Sequence, residues 1–451
     1  MTAEPWAAPG YVPVLDLFRS HQRLLGRGGA GYCATIDGQP VVDTWGGWAG
    51  PGRRWSPDTI TIIASATKGL AALCLQMLCD QGRVDIEAPV SRYWPEYAQA
   101  GKQDTLVRHI LLHTAGVLSF PGQTELLRFD GTGWDHTAAI SAGLAAAPPE
   151  WPPGTRHGYH AVTFGWLVGE IVRRVTGRTV GTFFAEEVAA PLGLRTWIGT
   201  PAEQHGSVAH VFGIASAHLP GVIRKPFESS IAVARNPSAL SGRAFLGNGT
   251  TNLVDEIEQL ADRPEFLRAE FPAGGGTSDA RSLARLWSLM ALGGELDGVR
   301  LLSPESVAAW STVVAREPDL LAADVSLPRL MGNGAAPVPR TLGYLGNGRI
   351  PGVGWRFGPA ATAYGAEGLG GQYGFCDPDN RLSFGYVRND LAVLDLLQAA
   401  LTREVYRCAS GLGQLRSDPA KVRIARRDRL VDRGAGWWLR RISAKAPQPA
   451  A

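Results

Sequence analysis

The sequence predicts an α+β fold: one antiparallel sheet built from both chain ends, flanked by helices and interrupted by a mostly helical inserted domain. Three observations predict it. Residues 31–48, GYCATIDGQPVVDTWGGW, read as two short strands around the turn Asp37-Gly38. Residues 370–388, GGQYGFCDPDNRLSFGYVR, repeat that pattern around Asp377-Pro378-Asp379-Asn380. Between these hairpins the apolar period becomes helical, and strands at both ends with helices between them describe a sheet core that hosts an insertion. The chain accordingly divides into residues 1–68 as the N-terminal part of the sheet domain, 69–340 as the insertion, 341–412 as the C-terminal part and 413–451 as a basic tail.

Taken in order, helices are expected over 66–80, over 105–113 with Asp104 as N-cap, over 161–176 closed by Gly177, over 279–293 opening at Ser278-Asp279, and over 391–408. Residues 199–275 carry scattered Gly, Pro and Asn and predict a long irregular excursion of the kind that builds a binding cleft. Trp134, Trp151, Trp166 and Trp197 suit either a cleft wall or the core, and Trp166, within an expected helix, suits the core.

At 451 residues and 45% hydrophobic, the chain can bury a large core. Its net charge is +3, yet residues 416–445 alone carry +7, so the body shows no basic surface suited to nucleic acid. That basic stretch holds Trp437 and Trp438 and has the composition of a segment lying on an anionic membrane surface, and equally of a solvated tail whose tryptophans pack on the body. The N-terminus lacks the basic start and apolar run of a secretory signal, which predicts a cytoplasmic protein. Five cysteines without a CxxC predict neither disulfides nor zinc, and no metal or cofactor is expected. GRGGAG at 26–31 precedes its strand instead of following one, which suits a connector better than a dinucleotide site. Neither GxSxG nor HExxH occurs.

The stretch IASATKGLAALCLQML, residues 63–78, is apolar except for Lys68, three positions after Ser65. Lysine is seldom buried, because desolvation disfavours its charged form and lowers its pKa. Residues three apart on a helix share a face, so Ser65 and Lys68 project together where unpaired backbone N–H groups favour negative charge. A serine whose proton can pass to a nearby amine is a strong nucleophile. The plain alternative has Ser65 capping the helix and Lys68 reaching water.

Residues 62–117, with SATK followed by GRVDIEAPVSRYWPEY and LLHTAGV, resemble the serine β-lactamase and D,D-peptidase superfamily, within it the class C β-lactamase-related branch that includes family VIII carboxylesterases. The resemblance continues through PPGTRHGYHAVTFGWLVGEIVRRVTG (152–177), PLGL (191–194), GGELDGVRLLSPESV (293–307) and GLGGQYGFCDPDN (368–380). It implies the β-lactamase/transpeptidase-like fold, with Ser65 as the acylated nucleophile, Lys68 as its proton partner and Tyr159 as the tyrosine of the family's Tyr-x-Asn triplet, here Tyr159-His160-Ala161. The asparagine is replaced by Ala161. The third motif, Lys-Thr-Gly or His-x-Gly in relatives, falls on Ala366-Glu367-Gly368, which brings no cation to hold a substrate carboxylate and so favours neutral esters. The implied oxyanion hole uses backbone N–H groups of Ser65 and Leu369, beside Gly368, with Leu369-Gly370-Gly371 as a shifted alignment. His160, Ala366, Glu367, Gly370 and Gly371 are expected around the pocket, and His113 and His160 are expected to be structural or wall residues rather than members of a triad. The function implied is a serine hydrolase of small-molecule carboxylic esters. Its alternatives are an acyltransferase on the same site, a β-lactamase or D,D-peptidase-type amidase, and a catalytically silent binding protein.

Overall fold

A computed structural model describes residues 4–214, 216–219, 221–323, 338–350, 354–393 and 395–417. Most of the expected basic tail, from residue 418 onward, lies outside the described residues.

Helix α1 (Val12–Ser20) leads into strands β1 (Gly29–Ile36) and β2 (Gln39–Gly50), joined at Asp37 and Gly38. Both turn residues have positive φ, 51° and 79°, the conformation required by the tight turns that match the twist of paired strands. Helices α2 (Thr67–Asp80), α3 (Thr163–Thr176) and α4 (Ala280–Ala291) follow, then β3 (Tyr364–Gly368), β4 (Gln372–Asp377), β5 (Leu382–Arg388) and α5 (Leu396–Gly411). The sheet runs β2-β1-β5-β4-β3, with two-residue strands Trp6–Ala7 outside β2 and Leu345–Gly346 outside β3, and these neighbours pair antiparallel. The two chain ends meet at its centre, where Tyr386 pairs with Tyr32 and Phe384 with Ala34.

Alternation along the central strands sends Ala30, Tyr32 and Ala34 of β1 and Phe384 and Tyr386 of β5 into one core with Val14 and Phe18 of α1 and Leu397, Leu401 and Val405 of α5. The opposite face carries α4. A Cβ at Gly385 would stand 2.0 Å from the Ala280 carbonyl oxygen and 2.7 Å from the Ala284 nitrogen, so α4 rests on bare backbone there. Thr35, Ser288 and Ser383 close a buried triangle of hydroxyl contacts at 2.7–2.8 Å beneath it. On that side a second core takes in α2 and α3; α2 is buried from Thr67 to Leu78, as a helix apolar on nearly every face must be.

The hairpins and the helix positions in the α2, α3 and α4 regions agree with the sequence expectation, including Gly177 closing α3 at φ 74° and Asp279 capping α4 by accepting from the Ser282 N–H. Trp134, Trp151 and Trp166 are buried, and Trp197 is half-buried. Four points differ. Asp104 caps nothing: the helix there is Val107–Leu111, and its N-cap position is Leu106. The last helix starts at Leu396, where Asp395 accepts from the Gln398 N–H at 2.9 Å. Helix α4, inside the 69–340 stretch, packs on the sheet instead of belonging to a separate insertion. The 199–275 excursion is only partly irregular, because it includes helices Gly221–Arg235, Leu240–Ala244, Leu253–Leu260 and Pro264–Arg268. Asn252 caps the third of these by accepting from Val254 and Asp255 N–H groups.

The five cysteines are unpaired. Among the described residues no helix is long and apolar enough to cross a membrane.

Lys102 shows how this fold manages a buried charge. Fully buried, it donates to the carbonyl oxygens of Gln99 (3.0 Å), Ala145 (2.8 Å) and Ala147 (2.5 Å) and so ties the 99–102 turn to the end of helix Thr137–Ala146. Lys102→Met would strip these acceptors of their donor, and urea unfolding should report a loss of about 3 kcal/mol.

Candidate active site

The site begins with a strained turn. Strand Thr61–Ile62 pairs with Thr277–Ser278, and the Ile63 N–H donates to the Gly276 carbonyl at 2.8 Å. Ala64 then takes φ 45°, a left-handed conformation costing about 1 kcal/mol for a residue with a Cβ. Thr67 holds it there: its hydroxyl donates to the Ala64 carbonyl at 2.6 Å and accepts from the Gly276 N–H at 3.0 Å. Ser65 thereby stands half-exposed on the short 3₁₀ turn Ala64–Ala66 that opens α2.

Lys68 lies one turn on, 6% exposed, with Nζ 3.2 Å from Ser65 Oγ. It donates to the carbonyl oxygens of Ala161 (2.8 Å) and Ala273 (2.7 Å). Burial, and after it the positive charge of Arg340, hold its pKa well below the ordinary lysine value. Two of its hydrogens are thus committed to carbonyls, which leaves a neutral amine one lone pair for the serine.

Tyr159 completes the cluster. Its ring centroid is 4.8 Å from Lys68 Nζ, and its hydroxyl lies near enough to Ser65 for that side chain to favour the phenolate. Burial pushes its pKa up to about 12, opposed by Ser65 and by Arg340. The phenol is therefore protonated at neutral pH. The residues expected as nucleophile, proton partner and tyrosine are brought together.

The backbone carrying Tyr159 is braced by two histidines. The His113 carbonyl accepts from the Gly158 N–H, and its Nδ1 accepts from the His160 N–H, both at 3.1 Å. His160 Nε2 accepts from the Val117 N–H at 3.1 Å while Nδ1 donates to the Gly158 carbonyl at 2.7 Å, which fixes the neutral Nδ1–H tautomer. Burial lowers the His160 pKa to about 4. His160 is fully buried, so it supports the loop and does not line the pocket as expected.

The third segment approaches from the other end of the chain. A Cβ on Gly368 would lie 2.2 Å from the Ile63 carbonyl oxygen and 3.1 Å from the Ser65 nitrogen, so β3 passes directly beside the Ser65 N–H. Ala366 is buried against Gly69 of α2. Glu367 points away and pairs with Arg356. Gly370 and Gly371, at φ 87° and 106°, form the turn into β4 and pack on Leu391 and on Asp395 and Arg388. These four positions shape the strand and its turn instead of offering side chains to a ligand. Leu369 is half-buried next to Gly368.

Two site residues had no sequence signal. Asp319 Oδ1 accepts the Tyr159 N–H at 3.1 Å, and Arg340 pairs with Asp319 Oδ2 at 3.4 Å. Both sit in segments without periodicity or motif, so only the folded chain brings them to the tyrosine.

The family model described as Beta-lactamase matches residues 16–407. The esterase/beta-lactamase LipL of Mycobacterium tuberculosis is 35% identical over 393 residues, spanning 85% of this chain and 82% of its own. Among solved structures, a family VIII carboxylesterase superposes with a TM-score of 0.73 at 30% identity, covering 89% of this chain and 98% of its own. A penicillin-binding protein homologue from Caulobacter crescentus gives a TM-score of 0.73 at 32% identity, with the same coverage of 89% and 98%.

Because β3 abuts Ser65 through a bare Cα, Gly368→Ala should separate strand from nucleophile. We expect kcat on any substrate processed at Ser65 to fall at least about 100-fold, the scale of losing one oxyanion donor, with a lowered melting temperature in the same preparation.

Proposed function

The chain belongs to the beta-lactamase family, and on that premise we propose that it hydrolyses carboxylic esters through an acyl-Ser65 intermediate. The observation that carries this reading is the contact of Ser65 Oγ with Lys68 Nζ at 3.2 Å, with the Tyr159 ring centroid 4.8 Å from the same amine. The relatives named esterase/beta-lactamase and family VIII carboxylesterase support it.

Lys68, kept neutral by burial, takes the Ser65 proton as Oγ attacks the ester carbonyl. The N–H groups of Ser65 and Leu369 receive the oxyanion, with Gly368 allowing the close approach. The Tyr159 hydroxyl gives its proton to the departing alkoxide and regains one from Lys68, so the alcohol leaves with the tyrosine's proton and the serine proton ends on Tyr159. Water then adds to the acyl-enzyme by the same groups in reverse and releases the acid. Where a carboxylate-binding cation would stand on β3 there is Ala366, buried against Gly69, and the neighbouring carboxylate of Glu367 is bound to Arg356. Such a wall favours uncharged esters over substrates bearing a carboxylate.

Short p-nitrophenyl esters should be turned over, with an acid limb in kcat/KM at the depressed Lys68 pKa, well below 10.5. The sign follows from the amine: only its unprotonated form accepts the serine proton, so activity rises with pH through that value. Ser65→Ala should abolish turnover, and Tyr159→Phe should lower kcat by about 100-fold or more. Absence of both turnover and a fluorophosphonate mass adduct on Ser65 would overturn the proposal.

A further inference from the structure

Lys68 and Tyr159 share their surroundings with a buried guanidinium that the chemistry above leaves unused. Arg340 is 6% exposed, too enclosed to meet a substrate. Its Cζ lies 5.9 Å from the Tyr159 ring centroid, its Nη2 lies 3.4 Å from Asp319 Oδ2, and its Nε has no hydrogen-bond partner among the described residues. The backbone is fixed as well, because the Arg340 N–H donates to the Ala315 carbonyl at 3.0 Å and the Arg340 carbonyl accepts from Val314 at 2.9 Å. Asp319 ties this cation to the site by accepting the N–H groups of Tyr159 (3.1 Å) and Leu321 (3.0 Å) on its other oxygen. Burying a guanidinium costs several kcal/mol, and one long contact to a carboxylate offsets only part of it. For stability alone the arrangement is poor.

The groups facing Arg340 decide what its charge does. His113, His157 and His160 are neutral, since burial holds their pKa values down, to about 2 for His157 and about 4 for His160. Arg356, further off, is paired with Glu367. That leaves Lys68 and Tyr159, with Asp319 as the opposing charge. At Tyr159 the pull of Arg340 outweighs the push of Asp319, and at Lys68 Arg340 acts in the same direction as burial.

We propose that Arg340 is a positioning residue for ester hydrolysis: anchored by Asp319, its charge keeps the Lys68 amine unprotonated and steadies negative charge on the Tyr159 oxygen. In the reaction, the proton leaves Ser65 for Lys68 while the Tyr159 proton goes to the alkoxide. Arg340 steadies the phenolate while it lasts and repels the new ammonium, and that repulsion drives the proton from Lys68 back to Tyr159 and resets the pair. No external co-reactant is needed.

This inference rests on the ester-hydrolase reading, and the two fail separately. The pH dependence of kcat/KM on a p-nitrophenyl ester is measured for wild type, Arg340→Gln, Arg340→Lys and Asp319→Asn. Removing the cation should move the acid limb to higher pH by about half a unit to one unit and lower kcat/KM at pH 7 about tenfold or more with little change in KM. Arg340→Lys should recover much of this. Asp319→Asn removes the anchor and should move the limb in the same direction as Arg340→Gln, by less, which keeps the idea testable if Arg340→Gln does not fold. Acid limbs that stay put in the folded variants, or equal losses in Arg340→Gln and Arg340→Lys, would overturn the inference. An inert wild type would overturn the hydrolase reading itself.

Discussion

The structure depends on keeping one amine dry. Lys68 is held among backbone carbonyls at the first turn of an otherwise apolar helix, and desolvation of an ammonium there costs several kcal/mol. Each pKa unit of depression is worth about 1.4 kcal/mol of differential stabilisation, so burial, aided by the Arg340 charge, turns a routine surface cation towards a proton acceptor. Features around it serve that burial. The apolar length of α2 seats the helix in the core, Gly69 lets β3 close over it at Ala366, and the carbonyls of Ala161 and Ala273 occupy the N–H groups that water would otherwise solvate.

The strain at Ala64 belongs to the same design. A left-handed alanine persists only when its surroundings over-determine it, and here Thr67 binds its carbonyl while Gly276 anchors both Ile63 and Thr67. The Ser65 side chain is thereby aimed at Lys68 and Tyr159 before any substrate arrives, so little reorganisation remains for the reaction. The two histidines act in the same way on the other wall: their nitrogens hold backbone, and their neutrality leaves the charge balance to Arg340, Asp319 and the reacting pair.

How much of this was legible in the sequence follows from how local each signal is. The hairpins were, because Asp37-Gly38 and the turn at 377–380 sit between alternating strands. The SATK stretch was, because a lone lysine in an apolar helix is conspicuous, and the family resemblance located Tyr159 beside it. The start of α5 was readable but misplaced: Asp395 is an ordinary N-cap, and the apolar Leu391 that seemed to open the helix instead packs on Gly370. The helices of 199–275 were obscured by Gly and Pro, including Pro226 inside Gly221–Arg235, whose cost tertiary packing absorbs. Asp319 and Arg340 could not be read at all. Their meaning lies in contacts across 160 residues to Tyr159 and across 21 residues to each other, with no periodicity to announce them.

The pairing of β1 with β5 has a temporal consequence. The ribosome delivers Ser65 early and Gly368 late, and the central ladder cannot zip until residue 388 has emerged. Until then β1 presents an open edge of unsatisfied amides and carbonyls, a sticky template that nascent chains must shelter. A chain that stops short of residue 388 therefore lacks the complete central ladder, and closure of the sheet is a late event of synthesis.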